Sequence, residues 1–244
     1  LGSGFEAANI YPMLHARGFH EGMTRAGQNE ICNLARSAWI GSQRYGAAVW
    51  SGDIPSDWPT LRGQIKAGLN IMLSGIPWWT TDIGGFFGGY TEDPGFRELV
   101  VRWFQYGLFC PLFRLHGHRL PDAEGEAKTG ADNEVWSFGD EAYTIIKELL
   151  EARERMRPYI MDQMKTASET GCPPMRPLFY DYPDEEQLYE IGDEYLFGPD
   201  IVVAPVVYPG ADRRRVYLPA GAQWTDARTG EKASSGEWFE AKAP

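Results

Sequence analysis

The chain has 244 residues, enough for one large domain, or a mid-sized one and a small one, around a sizeable core. Its 34 Asp and Glu outnumber 23 Lys and Arg, and no basic run interleaves with aromatics, which argues against nucleic acid or an anionic membrane as partner. No stretch reaches the ~18 apolar residues of a spanning helix. Cys32, Cys110 and Cys172 form no C-x-x-C pair and read as free buried thiols, which excludes a disulfide scaffold or a cysteine zinc site.

The opening "LGSGFEAANIY" has neither an initiator Met nor a signal peptide, so the chain is expected to be a piece of a longer protein. A helix and loop, "FEAANIYPMLHARGFHEGM", come first. The runs "ICNLARSAW" (31–39) and "GAAVWSGD" (46–53) then read as buried strands. Ser56 or Asp57 caps a helix with Pro59 in its first turn and Leu61 and Ile65 on one face, ended by Gly68. A third strand is expected in "LNIMLSGIPWW" (69–79). Asp93-Pro94 opens the next helix, with Phe96, Leu99, Val100, Trp103 and Phe104 as its inner stripe. A fourth strand falls on "LFCPLFRLHG" (108–117), followed by a charged solvated loop at 121–134. Ser137 with Asp140 then starts a long helix through Ala142, Ile146 and Ile160, bent or broken at Pro158.

Strand and helix in alternation imply parallel strands. A closed eight-stranded barrel needs ~250 residues, so four such units make half of one. A change to short apolar runs between Pro, Gly and Asp sets a domain boundary near Glu169-Thr170-Gly171. The expected fold is therefore α/β: residues 1–165 as the C-terminal half of a (β/α)8 TIM barrel, and 166–244 as a small antiparallel β-sandwich domain.

Chemistry in parallel α/β domains gathers at the carboxyl ends of the strands. The polar residues there are Arg36-Ser37, Asp53, Asp82, and Arg114 with His116. Aromatics are plentiful, at 9 Trp, 12 Tyr and 12 Phe, more than a core requires. Carboxylates, arginine, histidine and flat apolar walls on one face suit a sugar, whose hydroxyls take planar donors and acceptors and whose glycosidic oxygen takes a proton.

The blocks "LARSAWIGSQRYGAAVWSGD", "LNIMLSGIPWWTTDIGGF", "RWFQYGLFCPLFRLHGHR" and "MRPLFYDYPD…YLFGPDIVVAPVV" resemble, in that order, glycoside hydrolase family 31, a family of retaining α-glucosidases, α-xylosidases and relatives. The resemblance covers nearly the whole chain. It implies that Asp53 is the general acid/base, that Arg36 and His116 bind sugar hydroxyls, that Trp50 and Phe86 wall the subsite, and that Asp82 supports this network. It further implies an oligosaccharide or small α-glycoside as substrate and no metal or organic cofactor. Asp53 would start protonated, its pKa raised by an anionic nucleophile nearby and by the wall of Trp50.

No residue matches the family's nucleophile, which lies on an earlier barrel strand. Glu6 and Glu21 precede the first strand here and are assigned no such role. An α-xylosidase is preferred to an α-glucosidase, with α-galactosidase third. A non-catalytic carbohydrate-binding remnant is the competing class, and a nucleotide-binding domain is disfavoured by the lack of a G-x-G-x-x-G between strand and helix.

Plainer roles stand beside these. Asp53 could be turn chemistry and Arg36 the partner of a buried carboxylate. His116 and His118 form an H-x-H pair without a third ligand at metal spacing, and His118 reads as structural. Trp78 and Trp79 divide between core and site, and Asp200 reads as a turn residue.

Overall fold

The computed structural model describes residues 2–122 and 130–243. Part of the expected loop, residues 123–129, lies outside them. Two helices lead in, α1 (Gly4–Ala7) and α2 (Tyr11–Arg25). Strands β1 (Asn33–Ala35), β2 (Ala47–Trp50) and β3 (Trp79–Thr80) form a parallel sheet in chain order, with Ala35 opposite Val49 and Trp50 opposite Thr80. Beyond them a second parallel pair joins β4 (Phe87–Tyr90) to β5 (His118–Leu120).

Helix α3 (Trp58–Leu73) connects β2 to β3, and α4 (Pro94–Leu108) follows β4. Both start as their sequences require. The Asp57 carboxylate accepts the Thr60 N–H and the Asp93 carboxylate accepts those of Gly95 and Phe96, each with proline in the first turn. Helix α5 (Asp140–Arg155) gives way to α6 (Arg157–Thr170) at the expected break before Pro158.

Three local expectations are corrected. Helix α3 does not stop at Gly68 but runs to Leu73, so the first part of the third expected strand, Leu69 to Leu73, is helical. Gly68 serves packing instead: a Cβ there would stand 2.8 Å from Trp79 Nε1 and 3.1 Å from the Tyr106 hydroxyl. The run 108–117 forms no regular strand, since Leu108 ends α4 and only scattered parallel contacts follow. These are Leu112 N–H to the Trp79 carbonyl at 3.1 Å, Ile83 N–H to the Arg114 carbonyl at 3.3 Å, and a bridge of Ile83 to Leu115. Finally, α5 is preceded by Gly139 at φ +85°, not capped by Ser137.

The C-terminal part is antiparallel, as expected. Strands β6 (Met175–Pro177), β7 (Tyr195–Phe197) and β8 (Ile201–Val203) form one sheet. In addition β9 (Arg213–Leu218) pairs with β12 (Glu237–Lys242), and β10 (Trp224–Thr225) with β11 (Lys232–Ala233). A short helix, α7 (Leu178–Asp181), links β6 to the rest.

One apolar core joins the two parts: Leu61, Trp103, Phe104 and Ile146 cluster with Met175, Tyr195, Phe197 and Val203. A smaller cluster joins Leu178, Leu188 and Leu196 to Tyr217 of β9. Arg102 of α4 adds polar ties, donating to the carbonyls of Ala211 at 3.2 Å and Ala243 at 3.1 Å. The cysteines are free, but only Cys110 is buried, while Cys32 is exposed and Cys172 half-buried. No described helix is long and apolar enough to cross a membrane.

Candidate active site

The parallel register brings the strand ends together. Because Ala35 pairs with Val49, Arg36 emerges beside Trp50; because Trp50 pairs with Thr80, Asp82 follows on the other side. Gly52, at φ +79°, turns the chain after β2 and sets Asp53 outward. There Arg36 Nη2 donates to Asp53 Oδ1 at 2.8 Å, and the Arg36 guanidinium carbon lies 5.4 Å from the centre of the Trp50 ring. The carboxylate that Arg36 meets is thus the exposed one of Asp53, not a buried one.

Asp82 differs in every respect. Its side chain is fully buried, it forms an ion pair with Arg114, and its Oδ2 finds no hydrogen-bond partner among the described residues. Burial pushes its carboxyl up from the ordinary range, against the pull of Arg114 and His116, and the Asp53 charge adds to the rise. The guanidinium of Arg114 lies 5.7 Å from the centre of the same Trp50 ring. Two arginines therefore share one indole, each tied to a different carboxylate.

Phe86 stands on a tightly tied loop. Its N–H reaches the Ile54 carbonyl at 2.8 Å and its carbonyl accepts the His118 N–H at 2.7 Å. Its ring lies 5.4 Å from that of His116, so these two predicted residues do meet. Gly85 makes this possible, since at φ +77° a Cβ would stand 2.5 Å from both the Pro55 carbonyl oxygen and Ser56 Cα.

Sequence reasoning passed over the residue that braces this loop. Arg119, fully buried in β5, donates to Asn133 Oδ1 at 2.7 Å, Gly88 O at 3.1 Å, Ser56 Oγ at 3.2 Å and Ile83 O at 3.3 Å. Burial brings its pKa down to about 10, against the pull of the Asp82 charge.

The remaining candidates fall outside this cluster. Trp79 is core and Trp78 packs half-buried against it. His118 Nε2 stands 2.6 Å from Asp122 Oδ1. Asp200 sits at the turn between β7 and β8 and accepts the Tyr159 hydroxyl at 3.1 Å. Among the described residues no three His, Cys, Asp or Glu side chains stand close enough to hold a metal ion. Glu6 lies on α1, accepting the Ser3 N–H, and Glu21 on α2, bound to Arg17 at 2.6 Å.

Parallel βα units with carboxylates, arginines and aromatics at the strand ends define part of an α/β-barrel. Residues 2–163 match the family model "Glycosyl hydrolases family 31 TIM-barrel domain" and residues 171–244 the "Glycosyl hydrolase family 31 C-terminal domain". The chain belongs to glycoside hydrolase family 31. It is 40% identical to an alpha-xylosidase of Saccharolobus solfataricus over 99% of this chain and 32% of that protein. To alpha-glucosidase 2 of Bacillus thermoamyloliquefaciens it is 36% identical, over 96% of this chain and 28% of the other. The crystal structure of a family 31 alpha-xylosidase from a soil metagenome, complexed with xylose, superposes with a TM-score of 0.97 at 54% identity, covering all of this chain and 37% of that one. The chain thus spans about a third of the length of these relatives.

Proposed function

We propose that this chain carries the general acid/base and much of the sugar site of a retaining α-glycoside hydrolase acting on oligosaccharides or small α-glycosides. The carrying observation is the Arg36–Asp53 contact at 2.8 Å beside Trp50, at the carboxyl ends of adjacent parallel strands. The substrate is an α-xyloside in first place and an α-glucoside in second, a preference supported by the alpha-xylosidase relatives at 40% and 54% identity against 36% for alpha-glucosidase 2. Residues 1–165 act as the barrel part and 166–244 as the accessory β domain.

In the reaction, Asp53 gives a proton to the glycosidic oxygen and later takes one from water. Arg36 and His116 hold hydroxyls of the ring undergoing cleavage, and Trp50 and Phe86 line its apolar face. The partner carboxylate of a retaining enzyme lies ~5–5.5 Å away; no residue of this chain matches the nucleophile motif of the family, and that role is assigned to a residue outside the chain, not to Glu6 or Glu21. The 244-residue chain alone accordingly does not hydrolyse glycosides at a useful rate.

The test uses the product of the complete reading frame that contains this chain, assayed on 4-nitrophenyl α-xyloside and α-glucoside. Turnover of both with a higher kcat/KM for the xyloside is expected. Preference for the glucoside corrects the sugar, and inertness towards both overturns the reading.

A further inference from the structure

Asp53 is held by an exposed pair: 31% of its side chain and 62% of Arg36's are open to water. Such a contact is screened and fixes a carboxylate only loosely. The firmer part of the site lies behind it. Asp82 is fully buried and bound to Arg114, three-quarters buried, whose own carbonyl accepts the Ile83 N–H at 3.3 Å. Arg114 lies over Trp50, and so does Arg36, which reaches on to Asp53.

We propose that Arg114, anchored by Asp82, is a positioning residue that seats the Trp50 indole and, through it, the Arg36–Asp53 pair. The inference rests on the reading of Asp53 as acid/base. A guanidinium is attracted to the face of an indole, so a ring fixed by one arginine offers a defined seat to the other. Buried Asp82 cannot turn to follow solvent, and this immobility passes to Arg114. Asp53, three residues beyond Trp50 on the same chain, thereby keeps its aim at the leaving-group oxygen.

The test compares Arg114→Lys with the parent in the product of the complete reading frame, on two substrates. Lysine keeps the charge but lacks the planar fork that both pairs with a carboxylate and lies on a ring. One substrate is 4-nitrophenyl α-xyloside, whose leaving group needs little protonation; the other is an α-linked xylosyl-glucose disaccharide, whose leaving group needs much. Because general acid assistance is worth ~100-fold or more, a misaimed acid is expected to cost kcat/KM on the disaccharide about 10-fold more than on the aryl glycoside. Azide should also accelerate turnover of the aryl substrate by the variant.

A residue that only supports the fold would lower both substrates alike. Equal losses, or none, overturn the proposal. Should Arg114→Lys fail to fold, Asp82→Asn, which keeps the shape and one acceptor for Arg114, must show the same split. A parent that cleaves neither substrate removes the glycosidase reading and this inference together, whereas an active parent without the split removes this inference alone.

Discussion

Replacing Arg153 by alanine removes the brace behind the segment that carries Arg114 and His116. Arg153 projects from α5, and its guanidinium donates to the carbonyls of Leu108 at 2.6 Å, Cys110 at 2.7 Å and Pro111 at 2.8 Å, all on buried residues at the end of α4. It also covers the Phe113 ring at 5.6 Å. Each carbonyl left buried without a donor costs ~1–3 kcal/mol. Part of this is offset, because burial disfavours the guanidinium charge and lowers its pKa. A net loss of ~3–5 kcal/mol follows, a large share of the ~5–15 kcal/mol of an ordinary domain. Urea unfolding of the complete protein reads the loss, and kcat/KM on the aryl xyloside at a temperature where the variant is folded reads the displacement of His116. A variant within ~1 kcal/mol of the parent, the median worth of a surface pair, with unchanged kcat/KM, would refute the bracing role.

Three further outcomes are expected. Gly85→Ala should lower kcat/KM about 10-fold or more, as expected for misplaced binding groups, since its Cβ would meet Pro55 and Ser56 at 2.5 Å and push Phe86 aside; an unchanged rate contradicts this. Glu194 is fully buried between β7 and β9, bound to Arg214 at 3.0 Å and to the Tyr217 N–H at 3.0 Å, and its burial outweighs these partners and raises its pKa to about 7, with the Asp193 charge adding to the rise. With more protons on the folded than the unfolded state between about pH 4.5 and 7, its contribution falls by up to ~3 kcal/mol as pH rises through that window, and Glu194→Gln should flatten the profile measured by denaturation at several pH values; a slope identical to the parent's sinks the assignment. The 244-residue chain alone should self-associate, because β1 is a sheet edge and Leu34 within it and Trp39 and Ile40 just after it are exposed; sedimentation velocity showing only monomer across a concentration series would contradict it.

Much of the site was legible because parallel strands end where apolar runs end. Arg36, Asp53 and Asp82 could be placed on one rim from the turns that follow their strands, without knowing the strands' lengths. The run from Leu69 to Leu73 misled because the end of α3 carries apolar residues on its open side as well: Leu69 and Met72 are buried, but Ile71 is half-buried and Leu73 exposed, so the polar stripe that distinguishes a helix from a strand is reduced to Asn70. Leu108 to Gly117 read as a strand for its apolar content, yet Pro111 has no N–H to give and the segment pairs only at isolated points. Pairing of charges was beyond sequence reasoning altogether. Nothing in the spacing says that Arg114 goes to Asp82 and Arg36 to Asp53, or that Arg119 serves four acceptors with no carboxylate among them, because these choices are made by contacts between distant segments.

The central claim is that Asp53 is the acid/base, and it is tested most directly by Asp53→Ala in the product of the complete reading frame, assayed on 4-nitrophenyl α-xyloside with and without azide. The account predicts a large loss of turnover, partial recovery in azide, and an α-configured glycosyl azide as product, since the aryl group departs without protonation and azide replaces water in attacking the β-linked glycosyl-enzyme after the base is gone. A variant that cleaves as well as the parent, or one that azide leaves untouched, would contradict it.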